Sequence, residues 1–152
     1  MASPQASDKL FSNMKVTMYD HDPANSTVAT DIGWVDMRDY SRFAVITFAS
    51  ALTGAGTNAF SILANDGAAG GGTDVTIKTH AVASAPDAVG DYLVLECTVE
   101  EIAQEAADAG VAGVRYVSAN LTCANAADEN VIVYIQSGAR FPQDGLTADV
   151  VA

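Results

Sequence analysis

Hydrophobic and polar positions alternate over most of this chain. MKVTMY sets Met14, Val16 and Met18 against Lys15, Thr17 and Tyr19, a period of two that predicts a half-buried strand. DHDPANS then interrupts it, because Asp, Pro and Asn favour turns. The stretch from Asp36 to Tyr40 reads as a charged turn, and Arg42 to Ala49 as a strand rich in β-branched and aromatic residues. In that strand Phe43 and Val45 point one way, and Ala44, Ile46 and Phe48 point the other. Apolar residues on both faces predict a strand that is central in a sheet or covered on two sides.

Further strands follow the same logic. ALTGAGT is a glycine-containing connection, NAFSILAND a second strand, and GAAGGG a loop whose glycines leave little preference for any fixed conformation. TDVTIKTH alternates Val75 and Ile77 against Thr76 and Lys78, as expected with one face in water. YLVLECTVE, VRYVSANLTCA and NVIVYIQSGAR are three more β-type runs, the last two joined by the turn-prone NAADEN. The exception is EEIAQEAADAG, where helix formers with acidic residues near the start run to Gly110 as a C-terminal stop. Ile102 is its single large apolar anchor, so we expect a short helical connection on the surface.

Six to eight strands at short spacing, frequent Gly and Asn turns and one brief helix predict an all-β protein. Its expected architecture is an antiparallel β-sandwich or jelly-roll-like barrel with one short surface helix. Residues 1–13 are polar and weakly patterned and are expected to form a flexible N-terminal arm, with 14–152 a single β-sandwich domain. The tail FPQDGLTADVVA is expected to cross to a neighbour or to pack on a sheet edge. No internal repeat suggests a solenoid or propeller.

Composition narrows the partners. The 152 residues suffice for one domain with its own core. They are 49% hydrophobic and 17% charged, against about 25% charged in an average soluble protein. A net charge of −12, from 19 acidic and 7 basic residues, repels phosphate backbones and argues against nucleic acid as a partner. No window approaches the roughly 18 apolar residues of a membrane span. The start, MASPQASDKLF, lacks the basic and apolar regions of a signal peptide, so we expect a soluble, cytoplasmic setting for synthesis. In that setting Cys97 and Cys123, each within an apolar run, read as buried small hydrophobes rather than as a disulfide or redox pair.

Chemistry is thinly represented. GAGT and GAAGGG match neither the phosphate-loop nor the dinucleotide pattern. His21, in DHDP, and His80 are too sparse for a zinc site, and neither Asp128 and Glu129 nor DGAAGGGTD follows a calcium-loop pattern. No nucleophile elbow exists, and Glu100, Glu101, Glu105 and Asp108 at helical spacing read as a solvated face. We therefore expect no enzyme, no cofactor and no metal. Trp34, Tyr19, Tyr40 and Phe141 are the aromatics that a carbohydrate-binding surface would use. Trp34 and Phe141 stand at strand borders and Phe11 in the arm, which makes Phe11, Trp34 and Phe141 the candidate interface residues.

Several segments together resemble a group of small structural proteins of tailed bacteriophages: VDMRDYSRFAVITFASALTGAGT, YLVLECTV and VRYVSANLTCANAADENVIVYIQSGARFP. The shared pattern is a Val35-Asp36-Met37 turn with Tyr40 before a two-sided apolar strand, then Arg115-Tyr116-Val117, and a closing strand ending in Gly138-Ala139-Arg140-Phe141-Pro142. It covers roughly Trp34 to Pro142, with the glycine-rich loop in place of a shorter connection. The resemblance implies a virion component made in the host bacterial cytoplasm, namely a decoration or cement protein on the capsid surface. Its implied partner is the major capsid protein, and its implied state a homo-oligomer, for which a trimer at local threefold positions is the natural form. Other roles compatible with the same pattern are a head fibre base, a neck or tail accessory, or a surface carbohydrate-binding module.

Overall fold

The computed structural model describes residues 13–21, 30–52, 59–80 and 88–140. Apart from Asn13, the expected N-terminal arm therefore lies outside the described residues. Nine strands and one α-helix follow in order: β1 (Met14–His21), β2 (Thr30–Asp31), β3 (Val35–Asp36), β4 (Arg42–Ala51), β5 (Ala59–Asn65), β6 (Asp74–Thr79), β7 (Tyr92–Thr98), α1 (Val99–Asp108), β8 (Tyr116–Thr122) and β9 (Glu129–Ser137). The predicted strands are all present, and the short strands β2 and β3 are additional to them.

All pairings are antiparallel and they nest. β5 pairs with β6, β4 with β7, β2 and β3 with β8, and β1 with β9, as in one long hairpin. Folding that hairpin over adds β4 beside β9 and β5 beside β8. The result is two sheets, ordered β1-β9-β4-β7 and β2-β8-β5-β6, with β3 also on β8. This is jelly-roll topology, one of the two architectures expected from the strand spacing.

Period-two patterning places the core between the sheets. Phe43 and Val45 of β4 and Ile132 and Tyr134 of β9 meet Phe60 and Ile62 of β5 and Val117 and Leu121 of β8, all fully buried. The Phe43 ring meets that of Tyr134 edge-on, with centroids 5.0 Å apart, and Tyr19 packs on the same ring at 4.8 Å. Where β2 gives way to β3, the Ala119 carbonyl still accepts from Ile32. The Ala119 N–H donates instead to the Tyr134 hydroxyl, at 2.6 Å. A core tyrosine thus replaces a missing ladder bond, since a buried amide cannot be left without a partner.

One expectation is completed and one corrected. Alternation predicts a half-buried β1 and leaves open which face is buried; Tyr19 is the residue packed on the core, and Met18 is 57% exposed. The register gives the reason: Thr17 and Tyr19 stand opposite the inward Tyr134 and Ile132, which leaves Val16 and Met18 opposite the outward Ile135 and Val133. The glycine-rich loop, in turn, is fixed. Asn65 Oδ1 accepts from the Gly67 and Gly72 amides at 2.6 and 3.1 Å, and Asp66 Oδ1 accepts from Thr73 at 2.9 Å. A side chain at Gly72 would collide with the Asp66 carboxylate, so glycine here permits a close approach rather than freedom.

The helix starts one residue earlier than its acidic run suggests. Thr98 caps it by accepting from the Glu101 amide, while the Glu101 side chain accepts from the Thr98 amide, a reciprocal capping box spelled Thr-x-x-Glu. Gly110, at φ +72°, ends it: its N–H reaches Ala107 and that of Val111 reaches Ala106, the paired bonds of a Schellman stop. Ile102 and Ala106 are the buried residues of α1. Lys78 of β6 holds the helix to the second sheet through Glu101 at 2.9 Å.

Candidate functional site

The two outer faces of the sandwich differ. On the β2-β8-β5-β6 sheet, the residues that alternate with core positions include Asn120, Thr122, Ser61, Asp74, Thr76 and Lys78. That face suits water. On the β1-β9-β4-β7 sheet every strand contributes apolar residues at the corresponding positions.

Register sets these residues in rows. Met18, Val133, Ile46 and Val94 lie across the four strands in one row, and Val16, Ile135, Ala44 and Glu96 in the next. On the other side of the central row, Val131, Phe48 and Tyr92 continue the surface. Phe48 and Tyr92 face each other with ring centroids 6.0 Å apart. The edge strands leave the most open side chains, with Met18 57%, Tyr92 63% and Val94 48% exposed. Among the described side chains, the charged ones on this face stand at its periphery, at Arg42, Glu96 and Glu129, and Asp20 of the edge strand β1 stands in register opposite Val131. The expectation for β4 is thus half met: the strand is central and one side is core, but no described residue of this chain covers the other.

The sequence-derived interface candidates do not converge here. Trp34 is half-buried next to the opposite sheet, where its indole Nε1 lies so close to Gly70 that a β-carbon there would come within 2.6 Å. Phe11 and Phe141 fall outside the described residues. Of the aromatics considered as a sugar platform, Tyr40 is buried and Tyr19 belongs to the core. The exposed aromatic pair is Phe48 with Tyr92. Two-sided apolarity in β4 and β9 was the available signal for this face, and it points equally to a covering layer.

Three grooves border α1. One, of about 340 Å³, includes Lys78 and Glu101 in its lining. A second, of about 420 Å³, is lined by Met37, Ile102, Val114, Arg38, Arg115 and Arg140. The third, of about 400 Å³, lies over small residues at the helix end, Ala103, Ala106, Gly110 and Val111 among them. Ion pairs within the chain hold part of the charged lining: Lys78 with Glu101, and Asp36 Oδ2 with Arg115 Nη2 at 2.9 Å and Arg38 Nη2 at 3.3 Å. Among the described residues, no group of three or more His, Cys, Asp or Glu side chains gathers as metal ligands. No described helix is long and apolar enough to cross a membrane.

Both cysteines are free and buried. Cys97 sits on β7 opposite Phe43, and Cys123, just past β8 in the other sheet, accepts from Asn130 Nδ2 at 3.2 Å. Burial pushes the Cys97 thiol up to about 12, helped by the Glu101 carboxylate, and the Cys123 thiol up to about 11, helped by Asp128. Burial raises Tyr134 as well. A group whose folded form holds its proton more tightly contributes stability below its unfolded value and loses it as pH rises. Unfolding free energy is therefore expected to be level near neutrality and to fall from about pH 9, where unfolded thiols ionise, toward 11 to 12. Urea melts at stepped pH check this. Thiol reagents should meanwhile label the native protein far more slowly than the unfolded chain.

The class defined by these features is an antiparallel jelly roll with one watery and one apolar outer face. No family model and no curated protein matches the chain. Among solved structures it is similar to infectious bursal disease virus VP2 in a subviral particle, with 11% identity, a TM-score of 0.42, and coverage of 84% of this chain and 34% of that one. The Gt strain of the same virus gives 12% identity, a TM-score of 0.41, and 85% and 34% coverage. This chain thus spans about a third of the length of those viral chains. A protein of Bacillus endospore appendages, described as disulfide-linked pili, gives 15% identity, a TM-score of 0.40, and 90% and 97% coverage. No tailed-phage family is shown by these comparisons, and likenesses at this level do not reach function.

Proposed function

We propose that this protein is a non-enzymatic structural component of a phage virion, a decoration or cement protein that binds the exterior of the assembled capsid and stabilises it. The observation that carries the reading is the apolar outer face of the β1-β9-β4-β7 sheet. Large contiguous apolar surfaces on soluble domains mark places where another surface docks, and a component that works only within an assembly needs one. The jelly roll is a rigid body of a kind used in capsids, though also in lectins and cupins, so fold alone does not select the role. The phage-like pattern over roughly Trp34 to Pro142 adds the selection. A net charge of −12 keeps free copies soluble and away from packaged DNA.

The mechanism is stabilisation by binding. A ligand that prefers the intact shell to its dissociated parts raises shell stability by mass action, repeated over many sites. Purified protein is expected to co-sediment saturably with expanded phage shells that lack it, and loaded shells to withstand heating that disrupts bare ones. Absence of binding would remove decoration and favour a neck, tail or fibre role. Binding without a change in the disruption temperature would keep the location and remove the cement function.

A further inference from the structure

The arginines of this chain are not spread over its surface. Three of the four, Arg38, Arg115 and Arg140, line the groove of about 420 Å³ beside α1. In a chain of net charge −12, that gathering makes a local cationic wall. Asp36 divides one carboxylate oxygen between Arg38 and Arg115, and Glu100 is the acid in the lining, so three guanidiniums meet two carboxylates. Arg140 makes no ion pair with a described residue. Arg115 Nε is buried without an acceptor, a donor that the fold holds out of water and does not satisfy.

The floor of the groove has the opposite chemistry: Met37, Val99, Ile102, Ala103 and Val114. Ala103 and Val114 also line the third groove, which continues past Ala107 to Gly110. Together the two grooves follow α1, whose ten residues rise about 15 Å. An extended peptide covers that distance in about five residues at about 3.3 Å each.

We propose that these joined grooves bind an extended acidic and apolar segment of a partner protein, with a carboxylate of the segment on Arg140 and Arg115 and its small apolar side chains over Ala103 and Ala107. Three observations select this occupant. Guanidinium forks match carboxylates in charge and geometry. The apolar floor favours a ligand with hydrocarbon beside its charge. The length along α1 suits several linked residues, where a small organic acid would fill one end. None of these lining residues belongs to the outward rows of the β1-β9-β4-β7 sheet, so this surface is independent of the one on which shell binding rests.

The test is a nuclear magnetic resonance titration of the ¹⁵N-labelled full chain with a pool of end-blocked pentapeptides. Each carries Asp or Glu at one end or the other and Ala, Val or Leu elsewhere; a matched pool carries Lys in place of the acid. The acidic pool should shift the Ala103, Ala107 and Val114 amides and arginine Nε–H signals, half-saturating between about 10 μM and 1 mM. The lysine pool should not. Arg140→Ala should weaken binding about fivefold, the effect of one exposed ion pair, and Glu100→Gln should strengthen it about twofold. Ala103→Glu sets a carboxylate on the floor and should weaken binding at least about tenfold. Ala103 is exposed on the helix, so this variant tests the site even if Arg140→Ala disturbs the fold, and circular dichroism checks both. No shifts up to about 2 mM peptide would overturn the proposal, whether the groove stands open or the chain's own terminal segment fills it. An equal response to the lysine pool or to acetate alone would overturn it, and so would affinities indifferent to Arg140→Ala and Ala103→Glu. Shell co-sedimentation is read separately, so either proposal can fail alone.

Discussion

Phe43→Ala is expected to cost about 3–5 kcal/mol of unfolding free energy, the range for aromatic truncations in a close-packed core. Phe43 is fully buried on the central strand of its sheet, between Cys97 on β7 and Gln136 on β9. The loss has three parts. Transfer of the ring to water is one, the void left between the two sheets is another, and the edge-on contact with Tyr134 at 5.0 Å is the third. Tyr134 cannot relax into the void without surrendering the Ala119 N–H that it satisfies at 2.6 Å. A domain of this size loses about 2–4 °C of melting temperature per kcal/mol, so a fall of roughly 10–15 °C should accompany the substitution. Urea denaturation measures the free energy and a thermal melt the temperature. Phe43→Leu, which keeps most of the volume, should cost under half as much. Equal losses for the two would show that ring geometry rather than volume supports this part of the core.

Asn65→Ala is expected to cost about 2–3 kcal/mol and to release the glycine-rich loop. Asn65 is fully buried at the end of β5. One side chain accepts from the amides of Gly67 and Gly72 and donates to Asp74 Oδ1 at 2.6 Å, closing the loop across seven residues. Without it two backbone donors and a carboxylate need water, and the loop's half-open position keeps the cost below that of three fully buried orphans. Two local readouts separate loop release from a general loss of stability. Hydrogen exchange at the Gly67 and Gly72 amides should accelerate under native conditions. Trp34 fluorescence should shift to longer wavelength, because the indole rests on Gly70. A protein that loses stability with neither local change would show that Asn65 acts through the core and not through the loop.

The glycine loop shows what local patterning leaves out. A run such as GAAGGG has no side chains to reveal a preference, and the groups that fix it are the polar side chains flanking it, Asn65, Asp66 and Asp74. Their carbonyl and carboxylate oxygens have defined targets only after β5 and β6 pair. The helix was legible because its signals are local. Its C-terminal glycine is at the expected place, and the Thr98 and Glu101 capping box, three residues apart, needed only the β-prone Thr-Val pair to be divided between strand and helix.

Alternation determined which segments are strands, since a period of two follows from the pleat itself, and glycine and asparagine turns at short spacing determined the all-β class. Burial of both cysteines was also legible from their apolar surroundings. Tertiary structure alone decided the nested pairing of β1 with β9 and β4 with β7, because partners lie over a hundred residues apart in one case and no local signal spans that distance. It also decided that Tyr19 rather than Met18 faces inward on β1. Period two states that a strand has two faces and leaves open which one the core takes, and only register against Ile132 and Tyr134 resolves it. The apolar outer face came from that same decision: once one side of β1, β9, β4 and β7 entered the core, the other sides aligned into one surface that no described residue covers.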